Sequence, residues 1–223
     1  EQVVAGDRVL TDGEEILRGQ SVWQAMGGQQ VGSVWGHGAY VAPDFTADWL
    51  HRESEFILDE LAVDEGVDSY ADLDPSRQAA VRQRLTEVMR TNTYDPATGV
   101  VTLDPVRARA YDANVEHYSA LFTEGHHDYA IPEGTLTDPD RLEALSAFYF
   151  WTSWAASTER PDDTVTYTQN WPHEPLIDNT PPADNVLWSI ISIFLLLAGL
   201  VGMVWYFASK PEEVPNPAEV PEN

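Results

Sequence analysis

Residues 23–53 read WQAMGGQQVGSVWGHGAYVAPDFTADWLHRE. Glycines, three tryptophans (Trp23, Trp35 and Trp49) and two histidines (His37 and His51) crowd around a short loop between Gly27 and Gly38. Helical patterns flank that loop on both sides. Upstream, Asp12 followed by Glu15 predicts a capping box, and Ile16, Trp23 and Met26 fall on one helical face. Gly27 and Gly28 end this first helix. Downstream of VAPDF, a second helix is predicted from about Thr46 to Leu61, with Trp49, Leu50, Ile57 and Leu61 inward. On residues alone the stretch is a tight, glycine-requiring turn between two helices, with aromatic side chains as core.

Further along, three Asp-Pro pairs mark helix starts: Asp74-Pro75, Asp104-Pro105 and Asp138-Pro139. Aspartate is a favoured N-cap, and proline suits the first helical position. The three helices are expected to run to about Arg90, towards Phe122, and through Leu142, Leu145, Phe148, Trp151 and Trp154 respectively. TYDPATGVVTL at 93–103 predicts a small hairpin turned by Pro96 and Gly99. Residues 161–185 read as an extended connector. Residues 209–223, rich in Pro and Glu, read as a cytoplasmic linker.

One apolar run stands apart. Val186 to Ala208 carries no charge, and as a helix it spans about 35 Å against a bilayer core of about 30 Å. Trp188 at one end, with Trp205 and Tyr206 at the other, are placed as interfacial anchors. A transmembrane helix at 186–208 is therefore expected, and Lys210 points residues 209–223 towards the cytoplasm. The chain starts at Glu1 rather than Met, which predicts that a signal peptide or an earlier transmembrane helix precedes it.

Thirty-seven acids face twelve bases, for a net charge of −25, and Lys210 is the one lysine. Such a surface repels nucleic acid and anionic lipid, so neither is expected as a partner. It fits a protein of salt-rich milieu, where screening relieves self-repulsion. With no cysteine there is no disulfide, no thiolate metal site and no covalently attached c-type haem.

The chemistry legible in the residues is sparse. His37, His51, His117, His126, His127 and His173 match no zinc spacing, and His126-His127 with Glu124 and Asp128 is the one cluster in sequence. There is no nucleophile elbow, no P-loop and no H-E-x-x-H. No catalytic residue is therefore assigned.

VWQAMGG, GSVWGHGAYVAPDFTADWLHRE and NWPHEPLIDNTP resemble the N-terminal region of the quinol-dependent nitric oxide reductases, from about Arg18 through the apolar helix. The resemblance implies a mostly α fold. It comprises a haemless cytochrome c-like extracytoplasmic domain (1–160) with a small hairpin, the connector, the transmembrane helix, and the linker. In that family a large transmembrane bundle, similar to the haem-copper oxidases, carries haem b, haem b3 and a non-haem iron. It reduces two NO to N2O with electrons from quinol, in denitrification. This chain is expected to cap that bundle, with the membrane, the bundle and quinol as its partners, and to carry no haem itself. Counting back from Gly36-His37-Gly38-Ala39-Tyr40-Val41-Ala42-Pro43, the family's two haem-attaching cysteines fall on Gly28 and Val31, and its axial histidine on Gly32. The resemblance also implies that backbone oxygens at Gly38 and Tyr40 help hold an interfacial calcium ion, hard carbonyl ligands suiting a hard cation. Asp48 and Arg52 are expected to pair at i, i+4, and His51 and Glu53 to face the domain–membrane junction near the quinol entrance. Two rival readings are a separate membrane-anchored, non-catalytic subunit and a free-standing module that uses its histidines for a metal or haem.

Overall fold

The computed structural model describes residues 2–38 and 41–210. Two strands, β1 (Gln2–Ala5) and β2 (Arg8–Asp12), precede the first helix, α1 (Gly13–Ala25). Then come α2 (Phe45–Asp64), α3 (Pro75–Arg90), β3 (Tyr94–Asp95), β4 (Val100–Thr102), α4 (Pro105–Glu124) and α5 (Pro139–Ser157). Short 3-10 turns lie at Gly28–Gln30, Tyr70–Asp72 and Pro175–Ile177, and the long α6 (Ala183–Ala208) completes the order. The chain divides into two compact units, Glu1–Pro182 and Ala183–Asn223.

The mostly α class and the hairpin are as expected. Five aspartates cap the helices of the first unit, Asp12, Asp44, Asp74, Asp104 and Asp138, each accepting from a backbone N–H of the first turn. Each such cap contributes about 1 kcal/mol. The capping box at α1 is only half made: Asp12 accepts from Glu15 N at 2.9 Å, but the Glu15 carboxylate is taken by Thr11 Oγ1 at 3.1 Å. The face of α1 is also shifted. Gly19 and Val22 are the buried residues, while Ile16, Trp23 and Met26 pack at the margin. A Cβ on Gly19 would lie 1.8 Å from Ala144 O of α5, so α1 and α5 cross backbone to backbone.

The hairpin is part of a larger sheet. β3 and β4 are antiparallel, β4 runs parallel to β1 in the register Val3↔Val101, and β1 pairs antiparallel with β2, in the order β2-β1-β4-β3. The N-terminal strands were not expected. Their signal is short: β-branched residues on both sides of a turn at Gly6, which holds φ of +57°.

α5 is the central helix. Seven consecutive residues, Ala144 to Phe150, are buried, so it is covered all round rather than on one stripe. An aromatic core gathers on it. The Phe45 ring stacks on Tyr149 at 4.4 Å, and Trp49 lies parallel to Tyr118 at 5.3 Å. A second cluster, including Leu50, Ile57, Leu85, Met89 and Ile177, fills the space where α2 and α3 meet.

Between the two cores lies a buried ion pair. Arg107 Nε donates to Glu53 Oε1 at 2.7 Å, both side chains being at most 2% exposed. Arg107 also donates to Met89 O and to Ser157 Oγ, and Ser153 Oγ donates to Glu53 Oε2. One charge pair thus ties α2, α3, α4 and α5. Glu53 is therefore an interior residue and not the surface group expected at a membrane junction.

Residues 161–182 also differ from the extended connector expected. They fold back on α3 as a strap around Arg90, which donates to Glu159 Oε1 (2.9 Å), Asn179 Oδ1 (3.0 Å) and Thr164 O (2.9 Å). Thr166 and Asn179 are fully buried there. Their turns close on polar side chains rather than apolar ones, so hydrophobic periodicity does not show them. α6 is a 26-residue helix, long and apolar enough to cross a membrane, beginning three residues before the expected run. The expected linker beyond Lys210 lies outside the described residues.

The buried groups of the core can be tested in two ways. Glu53→Gln or Arg107→Met should destabilise the first unit by roughly 3–5 kcal/mol, because each strands a buried charge, while Glu53→Leu with Arg107→Met should cost clearly less than either. Denaturant melts of the three variants measure this; single variants within ~0.5 kcal/mol of the parent would contradict it. Burial raises the pKa of Tyr111, Tyr118 and Tyr149, with the Asp48 carboxylate adding to the rise at Tyr118. The unfolded chain ionises these phenols near pH 10, the folded one only higher, so above about pH 10 the native state holds more protons. Their contribution to stability is thus fully present below pH 10 and is lost as pH rises beyond it. Tyr149→Phe, which deletes a buried hydroxyl without a protein partner, should make that alkaline decline shallower; an unchanged slope would contradict the assignment.

Candidate functional site

The loop 33–44 is built around one carboxylate. Asp44 Oδ2 accepts from Ser33 Oγ (2.7 Å) and Gly36 N (2.7 Å), and its Oδ1 accepts from Ala47 N (2.9 Å), the cap of α2. Ser33 Oγ in turn accepts from Gly38 N at 2.9 Å. The loop ends are clamped by Ser33 N to Pro43 O and Phe45 N to Ser33 O. Sequence reasoning missed Asp44 as a loop organiser; its position after Pro43 and just before an apolar helix was the available signal.

Gly38 sits where the resemblance places a backbone ligand. Its φ is +68°, and a Cβ there would lie 2.9 Å from Ala42 O, so only glycine fits. Tyr40, the second expected ligand, lies outside the described residues. Both Asp44 oxygens are engaged in holding the loop and the start of α2.

Trp35 has φ of +51°, a strained conformation for a bulky residue. It is held by its N–H to Thr46 Oγ1 (3.1 Å), its indole N–H to Thr152 O (2.8 Å), and the Trp151 ring edge-on at 5.2 Å. The strap meets the loop from the other side. Trp171 donates its indole N–H to Gly36 O at 3.2 Å, across 135 positions of sequence, and its ring lies 4.5 Å from that of His37. Behind it, Asn179 Nδ2 donates to Pro172 O and His173 Nδ1 donates to Asn179 O. His51 Nδ1 lies 2.9 Å from Oε2 of the buried Glu174 and its Nε2 3.4 Å from Glu55. The blocks GSVWGHG and NWPHEP thus form one surface, which neither block alone disclosed.

The position expected to correspond to the axial haem ligand is closed. A Cβ on Gly32 would fall 2.2 Å from the ring of Phe45, which is fully buried against Tyr149. Trp23 donates its indole N–H to Gly32 O at 2.9 Å, fixing the backbone there. Gly28 carries φ of +56° and opens the 3-10 turn Gly28–Gln30. No thiol is present, and an imidazole does not fit at Gly32, so these residues do not suit a c-type haem.

The expected Asp48–Arg52 pair forms, with Arg52 Nε donating to Asp48 Oδ2 at 3.0 Å. Asp48 also accepts from Tyr118 (2.7 Å) and Tyr129 (3.4 Å). Burial, with the Arg52 charge beside it, lowers the pKa of His117. The His126 ring lies tilted against that of Tyr129 at 4.5 Å, and His127 is fully exposed beside Asp128. Among the described residues no three of His, Asp and Glu converge as a metal site.

A family model described as the cytochrome c-like domain of nitric oxide reductase NorB matches residues 1–173. No curated protein matches the chain.

Asp44 is where this site is most sensitive. Asp44→Ala should destabilise the first unit by about 3 kcal/mol, from a lost cap and unpaired loop donors, with Asp44→Asn milder because one acceptor remains. Chemical denaturation measures both. An Asp44→Ala variant within ~0.5 kcal/mol of the parent would remove Asp44 from its organising role.

Proposed function

The chain belongs to the family of the nitric oxide reductase NorB cytochrome c-like domain, and from that membership we propose that it is the haemless extracytoplasmic cap of a quinol-dependent nitric oxide reductase. The reaction of the whole is 2 NO + 2 e⁻ + 2 H⁺ → N2O + H2O, carried out on a transmembrane bundle outside this chain. The cap's own work is structural: it covers the extracytoplasmic side of that bundle and shapes the approach of quinol. α6 anchors it in the cell membrane, and the acidic surface suits a salt-rich exterior.

The observation that carries this reading is the joined surface of loop 33–44 and strap 170–180. Trp35 is held in a strained backbone conformation, and the polar groups around it are largely satisfied within the protein. Segments whose polar groups are already satisfied, as at 33–38 and 43–45, serve recognition at low ordering cost. Gly38, held close to the chain at positive φ, and Tyr40 would offer carbonyl oxygens to a calcium ion, with its charged ligands coming from the bundle. The filled position at Gly32 supports a domain that has left electron transfer and kept its fold.

In the full-length reductase, Trp171→Ala should lower quinol-driven NO consumption by roughly ten-fold, the scale of a small misplacement remote from chemistry. Haem absorbance should stay unchanged. Full turnover in that variant, or in a reductase lacking residues 1–185, would overturn the supporting role.

A further inference from the structure

One histidine of the first unit stands between two carboxylates. His51, exposed on α2, has its Nδ1 2.9 Å from Oε2 of Glu174 on the strap. Its Nε2 lies 3.4 Å from Oε1 of Glu55, one helical turn further along α2. We propose that His51 and Glu55 form a binding site for a divalent transition-metal ion of the zinc class, with Glu174 orienting the imidazole. The proposal is independent of the capping role, and it concerns a different ion and different residues from the calcium ligands at Gly38 and Tyr40.

Glu174 fixes the ring. Its side chain is buried, one oxygen accepts from Leu176 N at 2.9 Å, and the other faces Nδ1 of His51. A carboxylate only accepts hydrogen bonds, so Nδ1 carries the proton and donates. In the neutral ring Nε2 is then a lone pair, and it lies against the second carboxylate, that of Glu55. Two acceptors facing each other call for a cation between them. A proton serves poorly there, because 3.4 Å is about 0.5 Å beyond an ordinary N–H···O bond. A tetrahedral metal serves well: with bonds of about 2.0–2.1 Å to nitrogen and oxygen, two of its ligands sit about 3.3–3.4 Å apart. Metal-bound histidines characteristically donate their other N–H to a carboxylate, the place Glu174 takes here. Both ligands reach solvent, with side chains 51% and 62% exposed, so an ion can enter. No third His, Asp or Glu among the described residues joins them, so water or a partner group completes the shell. An imidazole beside a carboxylate selects a borderline ion such as Zn²⁺ over Ca²⁺ or Mg²⁺, which take oxygen ligands.

The test uses the full chain, without an affinity tag, in nanodiscs of zwitterionic lipid, with histidine isotopically labelled at its ring nitrogens. Zinc chloride is titrated in strong salt with magnesium in excess, so that the acidic surface is screened. The Nε2 resonance of His51, assigned by its loss in His51→Gln, should shift and saturate with zinc and stay in place with magnesium alone. Glu55→Gln, at an exposed position, should weaken binding by about a hundred-fold and Glu174→Leu by roughly ten-fold, orienting partners costing roughly 10–100-fold when lost. Without metal, His51 should carry its proton on Nδ1, and Glu174→Leu should transfer it to Nε2, beside Glu55. No saturable shift at His51, saturation at another histidine in its place, an equal shift with magnesium, or unaltered affinity in Glu55→Gln would each overturn the site. An unchanged tautomer in Glu174→Leu would remove Glu174 from its positioning role. The parent titration and the exposed Glu55→Gln variant decide the site whether or not Glu174→Leu folds.

Discussion

The Glu53–Arg107 pair constrains the rest of the fold. A carboxylate and a guanidinium buried this completely are tolerated only when each remaining hydrogen-bonding atom finds a partner. The partners come from four places: the end of α3 through Met89 O, α5 through Ser153 and Ser157, and the two helices carrying the charges. α2, α4 and α5 must therefore keep one relative register. That register puts Phe45, at the first turn of α2, against Tyr149 and over Gly32. It also places Thr46 beside Thr152, where the two threonines hold Trp35. The loop surface is thus set from the interior outward.

The same geometry accounts for a cytochrome c-like fold that does not suit a haem. A haem pocket emptied of its cofactor would be a large void, and voids of that kind are costly. Here aromatic side chains occupy the neighbourhood of Gly32: Trp23 above the backbone, Phe45 at the Cβ position, and Tyr149 behind it. These packed rings leave no void at Gly32.

Much of the helical framework was legible because its signals are local. Asp-Pro starts at 74–75, 104–105 and 138–139 state both cap and first turn, and each helix begins there. The Asp48–Arg52 pair was legible for the same reason. What escaped was non-local. β1 and β2 pair across short segments, and β1 reaches β4 almost a hundred positions later, a partnership no local pattern states. The strap 161–182 holds by Arg90, Asn170 and Asn179, polar residues whose sequence suggests a loop; their partners are visible only in three dimensions. Glu53 looked like a surface acid because its partner lies 54 positions away. At the site, the positive φ of Gly38 fits the glycine-requiring turn expected between the two helices, whereas Asp44 and Trp171 act through hydrogen bonds that no local pattern states.

The central claim, that loop 33–44 and strap 170–180 form the face that meets the catalytic bundle, is tested most directly by amide hydrogen exchange. Peptides covering 33–38 and 170–180 are compared between this chain alone and the full-length reductase in the same lipid. The account predicts that both peptides exchange markedly more slowly in the full-length protein, while peptides of the exposed α3 surface exchange alike. Equal exchange of the loop and strap in the two settings, with protection appearing on another face, would contradict it.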